Sequence, residues 1–199
     1  MLESINFKKS FRFFVLNALF LLSLLIWFNP ITAPISLFLK LKVIKNSTFK
    51  DNRGFYWTTW KKGILKNFKF NHDKFSISKK KVLRGLHCDF KSWKLVTCTF
   101  GKVFLVVVNM KKNSKNYLKH KTWILTHDQP TLILIPPHFA NAYLCLSNKC
   151  VFHYKWSYKG KYVDSNKQKS YRWNDPKIKI KWPIKKPILS KRDKTSKYL

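Results

Sequence analysis

Eight acidic residues and six histidines supply the ordinary acid–base groups of this 199-residue chain. The acids are Glu3, Asp51, Asp73, Asp89, Asp128, Asp164, Asp175 and Asp193, and the histidines are His72, His87, His120, His127, His138 and His153. A metal centre in a small β-domain wants a His-x-His pair with a distant acid and a further His. The nearest approach is His87-Cys88-Asp89, a weak match. There is no Gly-rich phosphate loop and no HExxH. Cys88, Cys98, Cys145 and Cys150 form no CxxC pair, which argues against structural zinc. They read as reduced core thiols, and disulfides stay open should the domain be exported. No metal or other cofactor is expected.

The segment Val82-Leu83-Arg84-Gly85-Leu86-His87 is more informative. It is an apolar strand that ends in a histidine, with an arginine three positions earlier. Side chains alternate along a strand, so Arg84 and His87 face opposite ways unless Gly85 hosts a bulge. On these residues alone, His87 reads either as a buried core histidine or as a base near neutral pH.

The elements that must position such groups are short and β-branched. Val82–His87, Lys94–Phe100, Val103–Met110, Thr122–Thr126, Thr131–Ile135, Tyr143–Leu146 and Val151–Trp156 read as strands. Turn signals separate them, as at Gly101-Lys102, Asp128-Gln129-Pro130 and Ser147-Asn148. Regular short strands predict an all-β sandwich or barrel. Only Trp60–Asn67 carries a helical period, and no internal repeat is present. The chain length allows one domain plus an extension, and 45% hydrophobic residues suffice for a packed core. A Lys-rich stretch, 185–199, reads as a loosely ordered tail.

Lys and Arg total 41 against eight acids, a formal net charge of +33. Only Arg12, Arg53, Arg84, Arg172 and Arg192 are arginines. The excess reads either as a footprint for an anionic partner or as compositional drift toward Lys, Asn, Ile and Phe. The scarcity of Arg, whose planar fork suits phosphate and guanine, speaks against a dedicated nucleic-acid binder. Residues 1–39 stand apart: Lys8, Lys9 and Arg12 precede an uncharged stretch from Phe13 to Leu39. Its apolar half, 13–28, is short for a membrane span, and the whole fits an anchor, a signal peptide or an extension without a role. Basic residues flank both ends, so orientation is not indicated.

The motifs VLRGLH, KLVTCTFGKVFLVVV, LIPPHFANAYLCLS, FHYK, RWNDPKIKIKWP and PILSKRD, with DNRGFY upstream, resemble in order and spacing the dTDP-4-dehydrorhamnose 3,5-epimerase family. The resemblance runs from about residue 41 to 193. It implies a cupin-like jelly roll (a double-stranded β-helix) over 40–184, a homodimer, and no metal. Such enzymes invert carbons beside a sugar ketone, which takes a base on one face, a proton donor on the other and a cation near the enolate oxygen. Carried over by motif, His87 is the base, Asp175 its carboxylate partner and Tyr154 the proton donor. Lys94 lies near the keto oxygen or phosphate. Arg84 and Arg53 bind diphosphate, with Arg53 reaching across the dimer. His72 and Lys74 stand in the family's Gln-Asp-Asn substrate contact. Tyr158 stands where the nucleobase stacks, and Asn141 replaces a second active-site histidine.

These departures resemble a sub-branch acting on GDP-linked 4-keto-6-deoxy-heptoses of bacterial capsules. The resemblance implies a nucleotide-sugar epimerase of surface-polysaccharide synthesis, working in the cytoplasm and, if residues 13–28 are an anchor, on the inner membrane. Two other readings remain: a cupin 3,4-ketoisomerase of a nucleotide sugar, and a non-catalytic, membrane-tethered basic module.

Overall fold

The structure is a computed structural model that describes residues 41–66, 68–160 and 168–199. The proposed anchor segment lies outside these residues. Among those described, no helix is long and apolar enough to cross a membrane.

Twelve strands and one short helix make up the described chain. In order they are β1 (Lys42–Lys45), β2 (Phe49–Asp51), β3 (Gly54–Tyr56), β4 (His72–Lys79), β5 (Leu83–Cys88) and β6 (Trp93–Phe100). Then come β7 (Lys102–Asn109), β8 (His120–Thr126), β9 (Thr131–Ile135), β10 (Phe139–Cys145), β11 (Lys149–Ser157), β12 (Lys169–Ser170) and α1 (Lys191–Thr195). Two five-stranded antiparallel sheets have the orders β1-β9-β6-β11-β4 and β12-β5-β10-β7-β8, and β2-β3 is a separate hairpin. This is the all-β jelly roll expected from the sequence.

Period-two patterning explains how the sheets find each other. On β10, Ala140, Ala142 and Leu144 face outward from the second sheet, where 171–189 covers them with Tyr171, Trp173 and Ile178. The alternate residue Tyr143 points the other way. Its ring stacks on Phe152 of β11 at 4.3 Å, and its hydroxyl meets Ser76 and Ser78 of β4 at 2.8 and 2.9 Å. The interior between the sheets thus holds hydroxyl groups beside aromatic rings. Leu95, Leu132 and Leu134 on the outer face of the first sheet lie under Trp57, Trp60, Phe68 and Phe70. Burial of this kind stabilises by about 25 cal/mol per Å² of apolar surface.

Three expectations differ from the structure. Residues 61–66 form turns rather than a helix, because Gly63 sits mid-segment at φ +98°. Strand β4 carried no clear strand signal: it is a sheet edge, and its outward Phe75 and Ile77 alternate with Lys74, Ser76 and Ser78. The stretch 185–199 is not loose. It contains α1, capped by the Ser190 hydroxyl, and packs Leu189 and Leu199 onto the core clusters.

Candidate active site

A cavity of about 530 Å³ lies between the two sheets. His87, Arg84, Lys94, Lys74, Asn141 and Tyr154 line it together with Trp156, Gln168, Arg192 and Asp193.

Arg84 and His87 do share this cavity, and the backbone shows why. The β5–β10 register pairs Asn141 with His87 but Tyr143 with Arg84, so two steps on β10 oppose three on β5. The irregularity falls on Gly85, at φ +128°, where a Cβ would lie 2.4 Å from the Ala142 Cβ. Only glycine fits that close approach. Arg84 donates to Ser78 Oγ at 3.0 Å and to the Ile77 carbonyl at 3.3 Å.

His87 meets a carboxylate, but it is Asp193 and not Asp175. His87 Nε2 lies 2.7 Å from Asp193 Oδ1. Asp175 is buried elsewhere: its oxygens accept the Lys177 and Leu199 backbone N–H groups at 2.8 and 2.7 Å. The two acids are exchanged because Asp175 closes a turn after Trp173, whereas Asp193 sits in α1 beside β5. A signal for Asp193 was available. Ser190 stands three residues before it, the spacing of a helix cap, and accepts the Asp193 N–H at 3.1 Å. Burial raises the Asp193 pKa, yet the His87 hydrogen bond and charge, with Ser190 and the Gly85 N–H, hold it below the usual carboxylate range. Asp193 is thus ionised at neutral pH. A carboxylate on Nε2 places the neutral ring's proton there and leaves the lone pair on Nδ1.

Lys94 enters from β6 and is buried. Its ammonium donates to Asn141 Oδ1 at 3.0 Å and stands 4.8 Å from the Trp156 ring centroid. Burial lowers its pKa to about 8, with the charge of Asp89 opposing. Tyr154, from β11, packs edge-on to Phe152 at 4.9 Å. Burial raises its pKa strongly, against a weaker hydrogen bond from Ser76, so the phenol keeps its proton. Lys74 Nζ stands 5.3 Å from the Trp156 ring centroid. Arg192 reaches in from α1 and donates to the Gln168 carbonyl at 2.6 Å. Four cationic side chains thus share the cavity with one carboxylate, and that carboxylate is committed to His87.

The remaining predicted residues lie apart. His72 opens β4 opposite Trp156 but does not line the cavity. Tyr158 lines a second, open depression of about 1280 Å³ with Trp60, Phe68, Trp93 and several lysines. Arg53 is exposed in the β2–β3 hairpin and pairs with Asp51 at 2.5 Å. His87, Cys88 and Asp89 do not converge: Cys88 packs into the outer core, and Asp89 accepts the Lys91 and Ser92 N–H groups. Among the described residues, no group of three His, Cys, Asp or Glu is placed to hold a metal. Asp193, Arg192, Trp156 and Gln168 are among the lining residues to which sequence reasoning gave no role.

A family model for dTDP-4-dehydrorhamnose 3,5-epimerase matches residues 38–199. The Escherichia coli dTDP-4-dehydrorhamnose 3,5-epimerase is 33% identical over 149 residues, covering 71% of this chain and 79% of that protein. The Shigella flexneri enzyme of the same name is 30% identical over 159 residues, covering 76% and 86%. Among solved structures, the Legionella pneumophila dTDP-6-deoxy-D-glucose-3,5-epimerase in complex with dTDP-4-keto-L-rhamnose is 31% identical, with a TM-score of 0.72 over 80% of this chain and 87% of that one. The Bacillus anthracis dTDP-4-dehydrorhamnose 3,5-epimerase with TDP and PPi bound is 27% identical, with a TM-score of 0.75 over 82% and 96%. On the match across its whole jelly roll, this chain belongs to the dTDP-4-dehydrorhamnose 3,5-epimerase family, a family of isomerases.

Proposed function

We propose that this chain inverts C3, C5 or both in a nucleotide-linked 4-keto-6-deoxy sugar, with His87 as base and Tyr154 as acid. One observation carries the reading: the two residues come from opposite walls of one cavity. His87 stands on β5 of the second sheet and Tyr154 on β11 of the first. A sugar ring between the walls meets a base on one face and a proton donor on the other, which inversion requires. A 3,4-ketoisomerase needs only one face and leaves the buried Tyr154 without a role.

The step follows from the protonation states. His87 Nδ1 takes the proton from the carbon beside the ketone; the C–H electron pair forms the new C=C bond to C4, and the carbonyl π pair moves onto the 4-oxygen. The imidazolium formed is stabilised by Asp193, as in other His–carboxylate pairs. The Lys94 ammonium, in a poorly solvated cavity, stabilises the enolate oxygen. The Tyr154 hydroxyl then returns a proton to the opposite face, and solvent restores both groups. Arg84, Arg192 and Lys74 supply positive charge for the diphosphate. Arg53, exposed on its own chain, serves the neighbouring site in a homodimer.

The dTDP-linked hexose is the primary substrate reading, supported by the ligands named in the Legionella and Bacillus structures. A GDP-linked heptose is the second, favoured by Asn141, which binds Lys94 where the family carries histidine. The reaction belongs to the cytoplasm, where nucleotide sugars are assembled for surface polysaccharides. The test is turnover of dTDP- and GDP-linked 4-keto-6-deoxy sugars, with product configuration read by NMR and protomer number by sedimentation. An inverted product from either substrate supports the reading. A C3-ketone product, or no product from a folded protein with either substrate, counts against it.

A further inference from the structure

Asp193 reaches His87 from a helix of only five residues, a length with negligible stability of its own. Something else must hold that helix against β5. On its leading side the segment is tied through Ile188, whose N–H donates to the Lys81 carbonyl at 2.8 Å and whose carbonyl accepts from Leu83 at 3.0 Å. On its trailing side three residues outside the cavity grip it. Asp175, 2% exposed, accepts the Leu199 N–H at 2.7 Å, while Lys177 Nζ donates to the Leu199 carbonyl at 2.6 Å. The Arg172 guanidinium donates to the Lys194 carbonyl, directly after Asp193, and stands 5.4 Å from the Tyr198 ring centroid. The Arg172 backbone N–H also donates to the Lys197 carbonyl at 3.1 Å.

We propose that Asp175 and Arg172 are positioning residues: they pin segment 190–199 so that Asp193 fixes the tautomer and orientation of His87. The inference rests on the reading of His87 as the base. Asp175 thereby affects the reaction without touching the site, through the backbone of Leu199. The buried carboxylate is suited to this task because it accepts two backbone N–H groups that turn 175–177 and residue 199 would otherwise leave unpaired. Releasing the segment lets the carboxylate drift from the ring, and a displacement of about 1 Å at a reacting group costs up to about a hundredfold in rate.

The test is a mutant cycle with a second readout that needs no substrate. Asp175→Asn is expected to lower kcat about tenfold in the native background. In an Asp193→Ala background the same change should alter kcat less than about twofold, since no side-chain acceptor remains to position. Arg172→Ala should behave in the same way, and Arg172→Lys, which keeps a donor for the Lys194 carbonyl, should restore most of the rate. Nitrogen NMR of labelled histidine reads His87 directly: the wild type should hold its proton on Nε2, and Asp175→Asn should give a mixture of tautomers. If Asp175→Asn does not fold, Arg172→Ala carries the same cycle. Equal losses in both backgrounds, or an unchanged His87 spectrum, would overturn the proposal. Absence of turnover in the wild type would instead count against the epimerase reading, and the spectrum would still decide the positioning role.

Discussion

Asp193→Asn removes one charge and almost nothing else. The Asp193 backbone N–H still reaches Ser190 Oγ, so the α1 cap remains. In the proposed mechanism, what is lost is the partner of the imidazolium that forms when His87 takes a proton. With Nε2 and Oδ1 2.7 Å apart, the two charge centres lie about 4 Å from each other, where an effective dielectric of about 20 gives roughly 4 kcal/mol of attraction. At about 1.4 kcal/mol per factor of ten, that is close to a thousandfold in rate. The Asn carbonyl can still accept from Nε2, so the expected fall in kcat is between about a hundredfold and a thousandfold. KM should stay within about threefold, because the loss falls mainly on the transition state. Stability changes in a defined direction. The folded pKa of Asp193 is lowered, so its contribution is present at neutral pH and is lost as the pH falls through the folded value. The variant lacks that acid-side loss. The assay is steady-state epimerisation followed by NMR, with thermal unfolding at pH 7 and pH 4. A variant that keeps more than a third of the wild-type kcat would refute the assignment of Asp193 to His87.

Other substitutions probe the remaining parts. Lys94 has a pKa lowered by burial to about 8, so its cation is present below that value and kcat should fall as the pH rises through it. Lys94→Met should cost about a hundredfold or more and abolish that alkaline limb; a limb that persists would assign it to another group. Gly85→Ala forces a Cβ to within 2.4 Å of Ala142 at φ +128°, and should cost about 3 kcal/mol, lowering Tm by about 6–12 °C. A Tm within 2 °C or so of wild type would show that the β5 bulge relaxes freely.

The sequence made the fold legible wherever both faces of a strand are buried. β6, β7 and β9 read as β-branched apolar runs because each packs on a core layer. β4 was hidden because its outward residues are Phe75 and Ile77 and its inward ones Lys74, Ser76 and Ser78, the reverse of a soluble edge. The cavity wants polar groups inside, so the usual pattern inverts there. His87 and Arg84 could be placed on one face only by granting Gly85 a bulge, which the register supplies. Ser190 marks Asp193 locally as a helix-cap partner, but no local pattern says which of Asp175 and Asp193 reaches His87. Each sits in an irregular, Lys-rich stretch, and the choice depends on where that stretch returns to β5, a long-range fact. Arg192 was missed for the same reason.

Solvent deuterium at the sugar carbons tests the central claim most directly. In D₂O, wild-type protein should place deuterium at C3, C5 or both of a 4-keto-6-deoxy nucleotide sugar, with inversion at the labelled carbon. His87→Ala should give no exchange. Tyr154→Phe should still exchange, because His87 can return a deuteron to the face it came from, but the configuration should be retained. Inversion that survives in Tyr154→Phe, or exchange that survives in His87→Ala, would contradict the two-walled mechanism.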